Sequence, residues 1–163
     1  MYDGAMADRS DIWTPHVTVA AVVERDGRFL LVDEETDQGR LFNQPAGHWD
    51  PGESLLDAVI RETREETGYR FTPRALVCVH HWYDASNAFT YLRFSFAGEV
   101  EGDENARSSE PAIYGNAWMT ADEIRATRER HRGPQVLATV EEYLRGTRVP
   151  LGLIQPLEER SRP

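Results

Sequence analysis

Between Glu53 and Glu66 the chain places four glutamates (Glu53, Glu62, Glu65, Glu66) and two arginines (Arg61, Arg64), straight after the run Gly47-His48-Trp49-Asp50-Pro51-Gly52. On a helix Glu62, Glu65 and Glu66 stand at i, i+3 and i+4, so their carboxylates share a face. A merely solvated charged face would alternate its signs, each acid with a basic partner a turn away. Three acids crowding one face instead oppose helix formation, by roughly 0.2–0.5 kcal/mol per like-charged pair, and something must offset that repulsion. A hard divalent cation, Mg²⁺ or Mn²⁺, does so, because such ions prefer carboxylate oxygen and keep several waters. An ion held this way bridges to phosphate oxygens, and the chemistry it supports is hydrolysis of a diphosphate bond.

Composition limits what such a site serves. The 163 residues carry a net charge of −10. That charge repels a nucleic-acid backbone, and it would repel a small phosphorylated molecule too unless cations stand between them. All 18 basic residues are arginine, which excludes lysine nucleophiles, Schiff bases and a phosphate-loop lysine. Cys78 is the single cysteine, so no internal disulfide forms and a reducing cytoplasm is the expected location. No apolar run approaches the ~20 residues of a membrane span, and no basic-then-apolar leader opens the chain. Hydrophobic and charged contents of 40% and 28% are those of a globular protein. We expect one domain over residues 15–155, flanked by an N-terminal extension (1–14) and a C-terminal tail (156–163). Its partner should be a small phosphorylated molecule rather than nucleic acid or membrane, with the chain acting as a monomer or homodimer.

The elements that must position the acids can be read from pattern. The β-branched run His16 to Val23 reads as a buried strand, Asp26-Gly27 as a hairpin turn and Arg28 to Val32 as the returning strand. Asp33 to Arg40 reads as an exposed polar loop, and Leu41 to Ala46 as a short strand interrupted by Pro45 before a turn at Gly47. Ser54 is placed to cap a helix whose core stripe is Leu56, Val59, Ile60, Thr63 and Thr67, with Gly68 as its C-terminal cap. Ala75 to Trp82 and Phe89 to Val100 read as strands joined at Asp84 to Asn87. In the second, Leu92, Phe94 and Phe96 should face the core, while Tyr91, Arg93 and Ser95 could line a cleft. Gly102 to Gly115 is a long acidic loop, Ala117-Trp118-Met119 a short strand, and Thr120 to Glu123 a capping box. Pro134 to Arg145 reads as a last amphipathic helix.

Gly47, Glu53, Arg61-Glu62, Glu65-Glu66 and Gly68 stand at the spacings of the Nudix box, and on these residues the chain is identified as a member of the Nudix hydrolase family. Thr63 and Tyr69 fall where the box is usually aliphatic; every charged position is intact. The resemblance implies an α/β fold, an α/β/α sandwich with a mixed central sheet and the box as loop–helix–loop. It implies that Glu62, Glu65 and Glu66 hold Mg²⁺ or Mn²⁺, with the Gly47 carbonyl as a further ligand. Glu53 and Arg61 then form a supporting pair that orients the ligands. The general base in this family is either a box glutamate or a carboxylate from a distant loop; here Glu110 is the leading loop candidate, ahead of Asp103 and Glu104.

The substrate must be chosen outside the box. Gln44, His48, Trp49, His81, Tyr83 and Arg93 are the candidate contacts, as rings to stack and polar groups to meet phosphate. His80 and His81 point to opposite faces of their strand, so at most one enters a cleft. The stretches Pro15 to Ala20, Asn43 to His48, Leu92-Arg93-Phe94 and Val149-Pro150-Leu151 resemble the bacterial NudJ-type phosphatases. That implies release of inorganic phosphate from nucleoside di- and triphosphates or from thiamine-type pyrophosphates. The alternatives are a nucleoside triphosphate pyrophosphohydrolase, an ADP-ribose or dinucleoside polyphosphate hydrolase (Tyr83 lies near where dinucleotide-cleaving members carry a tyrosine), and a catalytically silent nucleotide sensor. RNA 5′-end processing is disfavoured by the net charge.

Overall fold

The computed structural model describes residues 13–103 and 107–157. β1 (His16–Arg25) and β2 (Arg28–Thr36) are joined by Asp26 and Gly27, both at positive φ (53° and 76°), the left-handed pair that a two-residue hairpin turn requires. The two strands pair only at Glu24↔Phe29 and Arg25↔Arg28, then part. β1 runs parallel to β6 (Phe89–Glu101) from His16↔Tyr91 to Val23↔Gly98, whereas β2 lies between β3 (Gly39–Asn43) and β7 (Ile113–Thr120). On the edge that β1 leaves open, β4 (Ala46–His48) pairs antiparallel with Thr18, Val19 and Ala20. β5 (Arg70–Asp84) lies antiparallel to β6, with β8 (Val149–Pro150) on its outer side. The result is a mixed sheet of order β3-β2-β1-β6-β5-β8.

Helices cover both faces, as the α/β/α expectation requires. α1 (Leu55–Thr67) sets Ala58 and Val59 against Val19, Ala21, Val23 and Phe96. On the other face α2 (Ala121–Ala126) contributes Ile124, and α3 (Gln135–Leu144) contributes Val136, Leu137 and Val140, against Val22, Leu31, Val77 and Ala97. A strand buried on both faces needs a continuous apolar run rather than alternation, which is why Val19 to Val23 is apolar throughout. The helix ends are built as expected. Asp57 N–H donates to Ser54 Oγ (3.1 Å), and Gly68, at φ 76°, donates its N–H to Arg64 O (2.8 Å). The Thr120–Glu123 box is closed in both directions.

Five expectations need correction. The strand after the acidic loop is not confined to Ala117-Trp118-Met119: β7 begins at Ile113, inside the stretch read as loop, because β2 pairs with it as far as Glu34. Asp33 to Arg40 is not a loop: β2 runs to Thr36 and β3 starts at Gly39, because Arg40 and Arg130 pair with Asp33, and Arg132 with Glu34, so acids can sit within the sheet. Gly47 lies in β4, not in a turn. β5 begins at Arg70 rather than Ala75, carrying Pro73 at an irregularity in its register with β6. Along β6 the burial is partly reversed. Arg93 and Ser95 are buried because α3 closes over their face, while Leu92 and Phe94 are only half-buried.

Candidate active site

Glu53, Arg61, Glu62, Glu65 and Glu66 are brought together at the C-terminal half of α1. Arg61 is the hub. Its Nε and Nη2 grip Glu53 (3.1 and 2.7 Å), Nη1 bridges Glu62 Oε1 (2.8 Å) and Glu65 Oε2 (3.1 Å), and Nη2 also donates to the His48 carbonyl (3.0 Å). Sequence reading paired Arg61 with Glu53 as a brace; the structure extends its grip to two of the three candidate ligands. Arg61 holds the Glu53 carboxyl below its ordinary range, whereas burial pushes Glu62 up, against the pull of Arg61.

Glu66 is set apart from its neighbours. It is 9% exposed and accepts one hydrogen bond, from Ala46 N–H (2.8 Å). Burial pushes its carboxyl up to about 8; the Ala46 N–H pulls the other way, and Glu62 and Glu34 push further up. Gly47 follows Ala46 on β4, and a Cβ there would collide with the Glu62 carboxylate. This position is glycine for want of space, not for backbone freedom. β4 therefore brings a backbone donor to Glu66 and a bare Cα to Glu62.

The donor set suits a hard cation. Three carboxylates, those of Glu53, Glu62 and Glu65, meet one guanidinium at hydrogen-bonding distance, and a fourth, the more deeply buried Glu66, has no side-chain counter-charge in contact. Among the described residues no three acidic, histidine or cysteine side chains already converge on one point; Arg61 Nη1 occupies the space between Glu62 and Glu65. The acidic loop docks on the same helix. Ser108 Oγ (2.9 Å), Ser109 N–H (2.8 Å) and Ser109 Oγ (3.2 Å) all reach the Glu65 carbonyl. Glu110 follows directly, exposed, with its N–H on Ser108 Oγ (2.8 Å). Asp103 is exposed as well, and Glu104 lies outside the described residues.

The six candidate substrate contacts separate into four groups. Gln44 and Arg93 are interior residues, 1% and 3% exposed, and Arg93 Nη2 donates to Gln44 Oε1 (3.2 Å). Trp49 donates its indole N–H to Glu53 O (2.8 Å), fastening the turn before α1. His81 and Tyr83 are exposed and share the sheet face of Phe94, away from Arg93. On the Arg93 face, residues that sequence reading underweighted form a chain of rings. His48 meets His16 edge-on (5.6 Å between centroids), His16 lies 4.1 Å from Phe89 and 5.5 Å from Tyr91, and Tyr91 stacks on Trp82 (5.0 Å). Period-two alternation puts Trp82 opposite Tyr91 once the register is known, but nothing local in the sequence brings His16 beside them.

A box helix with this carboxylate set, under a mixed sheet flanked by helices, defines a class, and comparison agrees. The NUDIX domain family model matches residues 14–140. The chain belongs to the Nudix family and is a hydrolase of phosphoric anhydrides. It is 38% identical over 143 residues to the phosphatase NudJ of Escherichia coli, covering 88% of this chain and 92% of that one. A solved Nudix hydrolase from Nitrosomonas europaea superposes with a TM-score of 0.85 at 44% identity, over 90% of this chain and 100% of that one. A more distant structure shares the fold at 18% identity and a TM-score of 0.68, covering 83% of this chain and 43% of that one. It is a bifunctional NMN adenylyltransferase/ADP-ribose pyrophosphatase from Francisella tularensis, in complex with AMP and a manganese ion.

Proposed function

We propose that this chain is a cytoplasmic, divalent-cation-dependent phosphatase. Its substrate is a nucleoside di- or triphosphate or a thiamine-type pyrophosphate, and it releases inorganic phosphate. The observation that carries this reading is the meeting of Glu62, Glu65 and Glu66 with the Arg61–Glu53 brace beside β4. Likeness to the E. coli phosphatase supports phosphate as the product, and the manganese in the Francisella relative supports the metal. Glu62, Glu65 and Glu66 would hold Mg²⁺ or Mn²⁺, and the Gly47 carbonyl would be a further ligand. Bound there, the cation lowers the pKa of water and neutralises charge on the phosphoryl oxygens.

The chain's own groups do the rest. Arg61 fixes the rotamers of Glu62 and Glu65 and keeps their mutual repulsion from splaying them. Glu53 keeps Arg61 in place, and β4 seats Glu66 from behind. A carboxylate at this edge takes the proton from the attacking water, with Glu110 the loop candidate. The ring chain from His48 to Trp82 offers aromatic faces and edges to the organic part of the substrate.

The test is a panel of nucleoside di- and triphosphates and thiamine-type pyrophosphates with Mg²⁺ or Mn²⁺, scoring phosphate against pyrophosphate. Phosphate release that stops in EDTA, and falls at least a hundredfold in Glu65→Gln and Glu66→Gln, is the expected result. Pyrophosphate as product would establish the pyrophosphohydrolase alternative, and activity surviving EDTA would end the metal mechanism.

A further inference from the structure

The polar centre behind the carboxylates has no assigned role. The guanidinium of Arg93, on β6, is 3% exposed. Both its Nη atoms lie 3.3 Å from Asn43 Oδ1, and Nη2 also donates to Gln44 Oε1 (3.2 Å). The Gln44 amide group, itself 1% exposed, donates to the Val136 carbonyl in the first turn of α3 (2.8 Å). Asn43 and Gln44 are the two residues before Pro45, where the chain leaves β3 and starts β4. The Pro45 carbonyl accepts from Ala21 N–H (2.9 Å), and the next N–H, that of Ala46, is the donor to Glu66. Gly47 then lies against Glu62.

A buried arginine is costly unless hydrogen-bonded, and burial pulls this one down to about 10 while Glu66 and Glu34 hold it up. A leucine or methionine would fill the same volume without that penalty. What an apolar side chain cannot do is hold two consecutive side-chain carbonyls of the crossover while its charge faces the carboxylates.

We propose that Arg93, with Asn43 and Gln44, is a positioning strut. It fixes the crossover from β3 to β4, and so sets where Ala46 N–H meets Glu66 and where Gly47 leaves room for Glu62. Arg93 thus acts on the cation-holding carboxylates through the backbone and does not touch the substrate. The inference rests on the metal reading above. Relaxing the strut lets Ala46 and Gly47 drift from the two glutamates, so cation affinity and turnover fall together while recognition of the organic group is untouched. Groups that orient metal ligands typically carry 10–100-fold in affinity.

The test reads Mn²⁺ binding to the substrate-free protein, by the free-ion paramagnetic resonance signal, together with kcat and KM at saturating cation. Arg93→Lys, Asn43→Ala and Gln44→Leu are each expected to raise the Mn²⁺ Kd about tenfold or more and to lower kcat, with KM within about threefold. Asn43→Asp keeps an acceptor for both Nη atoms and is expected to stay within about threefold of the parent Kd. A merely structural defect would not be rescued in that way. Should Arg93→Lys fail to fold, the Asn43 and Gln44 variants carry the test. Unchanged Mn²⁺ affinity in the folded variants, or a loss confined to KM, would overturn the strut; the second result would make Arg93 a substrate contact. Failure of the unsubstituted protein to bind Mn²⁺ would instead overturn the metal reading beneath it.

Discussion

Glu66 concentrates the electrostatics of the site in one side chain. With its folded pKa near 8, against 4.5 for an ordinary glutamate, the cation-free native state binds a proton that the unfolded chain releases at lower pH. Stability therefore falls as pH rises from about 4.5 to about 8, and that loss is complete above the folded value. In EDTA the melting temperature is expected to drop across this window, and Glu66→Gln should flatten the drop. Added Mn²⁺ should recover more stability at pH 8.5 than at pH 6, because it binds the carboxylate only once the proton has left. Identical pH profiles for the parent and Glu66→Gln, measured by thermal denaturation, would refute this assignment. The grouping of Glu62, Glu65 and Glu66 is legible in the sequence because helical periodicity is a local rule. Their unequal burial is not, since it depends on β4. Nor is the reason for Gly47, whose constraint comes from a carboxylate fifteen positions away.

At the scale of elements, the loop that docks on α1 bears the next consequence. Glu65 lies in the last turn of α1, where carbonyls lack an intrahelical donor, and Ser108 and Ser109 supply three donors to it. Replacing both serines with alanine should cost on the order of 1 kcal/mol of stability. If Glu110 is the base, it should also lower kcat about as much as Glu110→Gln does, with Mn²⁺ affinity little changed in either. A Glu110→Gln enzyme with parental turnover would remove Glu110 from the mechanism. The sequence marked this loop by its length and charge, whereas its anchor is a backbone carbonyl that leaves no trace in residue types. β2 was misjudged for a related reason: Asp33 and Glu34 look like loop residues until Arg40, Arg130 and Arg132, the last two nearly a hundred positions on, are brought beside them.

For the molecule as a whole, the charge of −10 sets how fast an anionic substrate arrives. At fixed free Mg²⁺, kcat/KM for a nucleoside triphosphate is expected to rise a few-fold from about 0.01 to about 0.15 M salt, over which the screening length shortens from about 30 to about 8 Å. A fall over the same range, in steady-state rates, would point to a locally positive approach path. The two-sided layering followed from the resemblance of the box, and the apolar run Val19 to Val23 accords with it; the parting of β1 from β2 was not readable, since only the pairings with β4, β6 and β7 reveal it. Those pairings also order events in time. β1 must find β6 and β2 must find β7, each across about half the chain, and contacts so distant in sequence form slowly. Until they close, the glutamates of α1 stay in water, where their repulsion is screened. The burial of Glu62 and Glu66 then bears on the native state more than on the path to it, so relieving it is expected to slow unfolding more than it speeds folding.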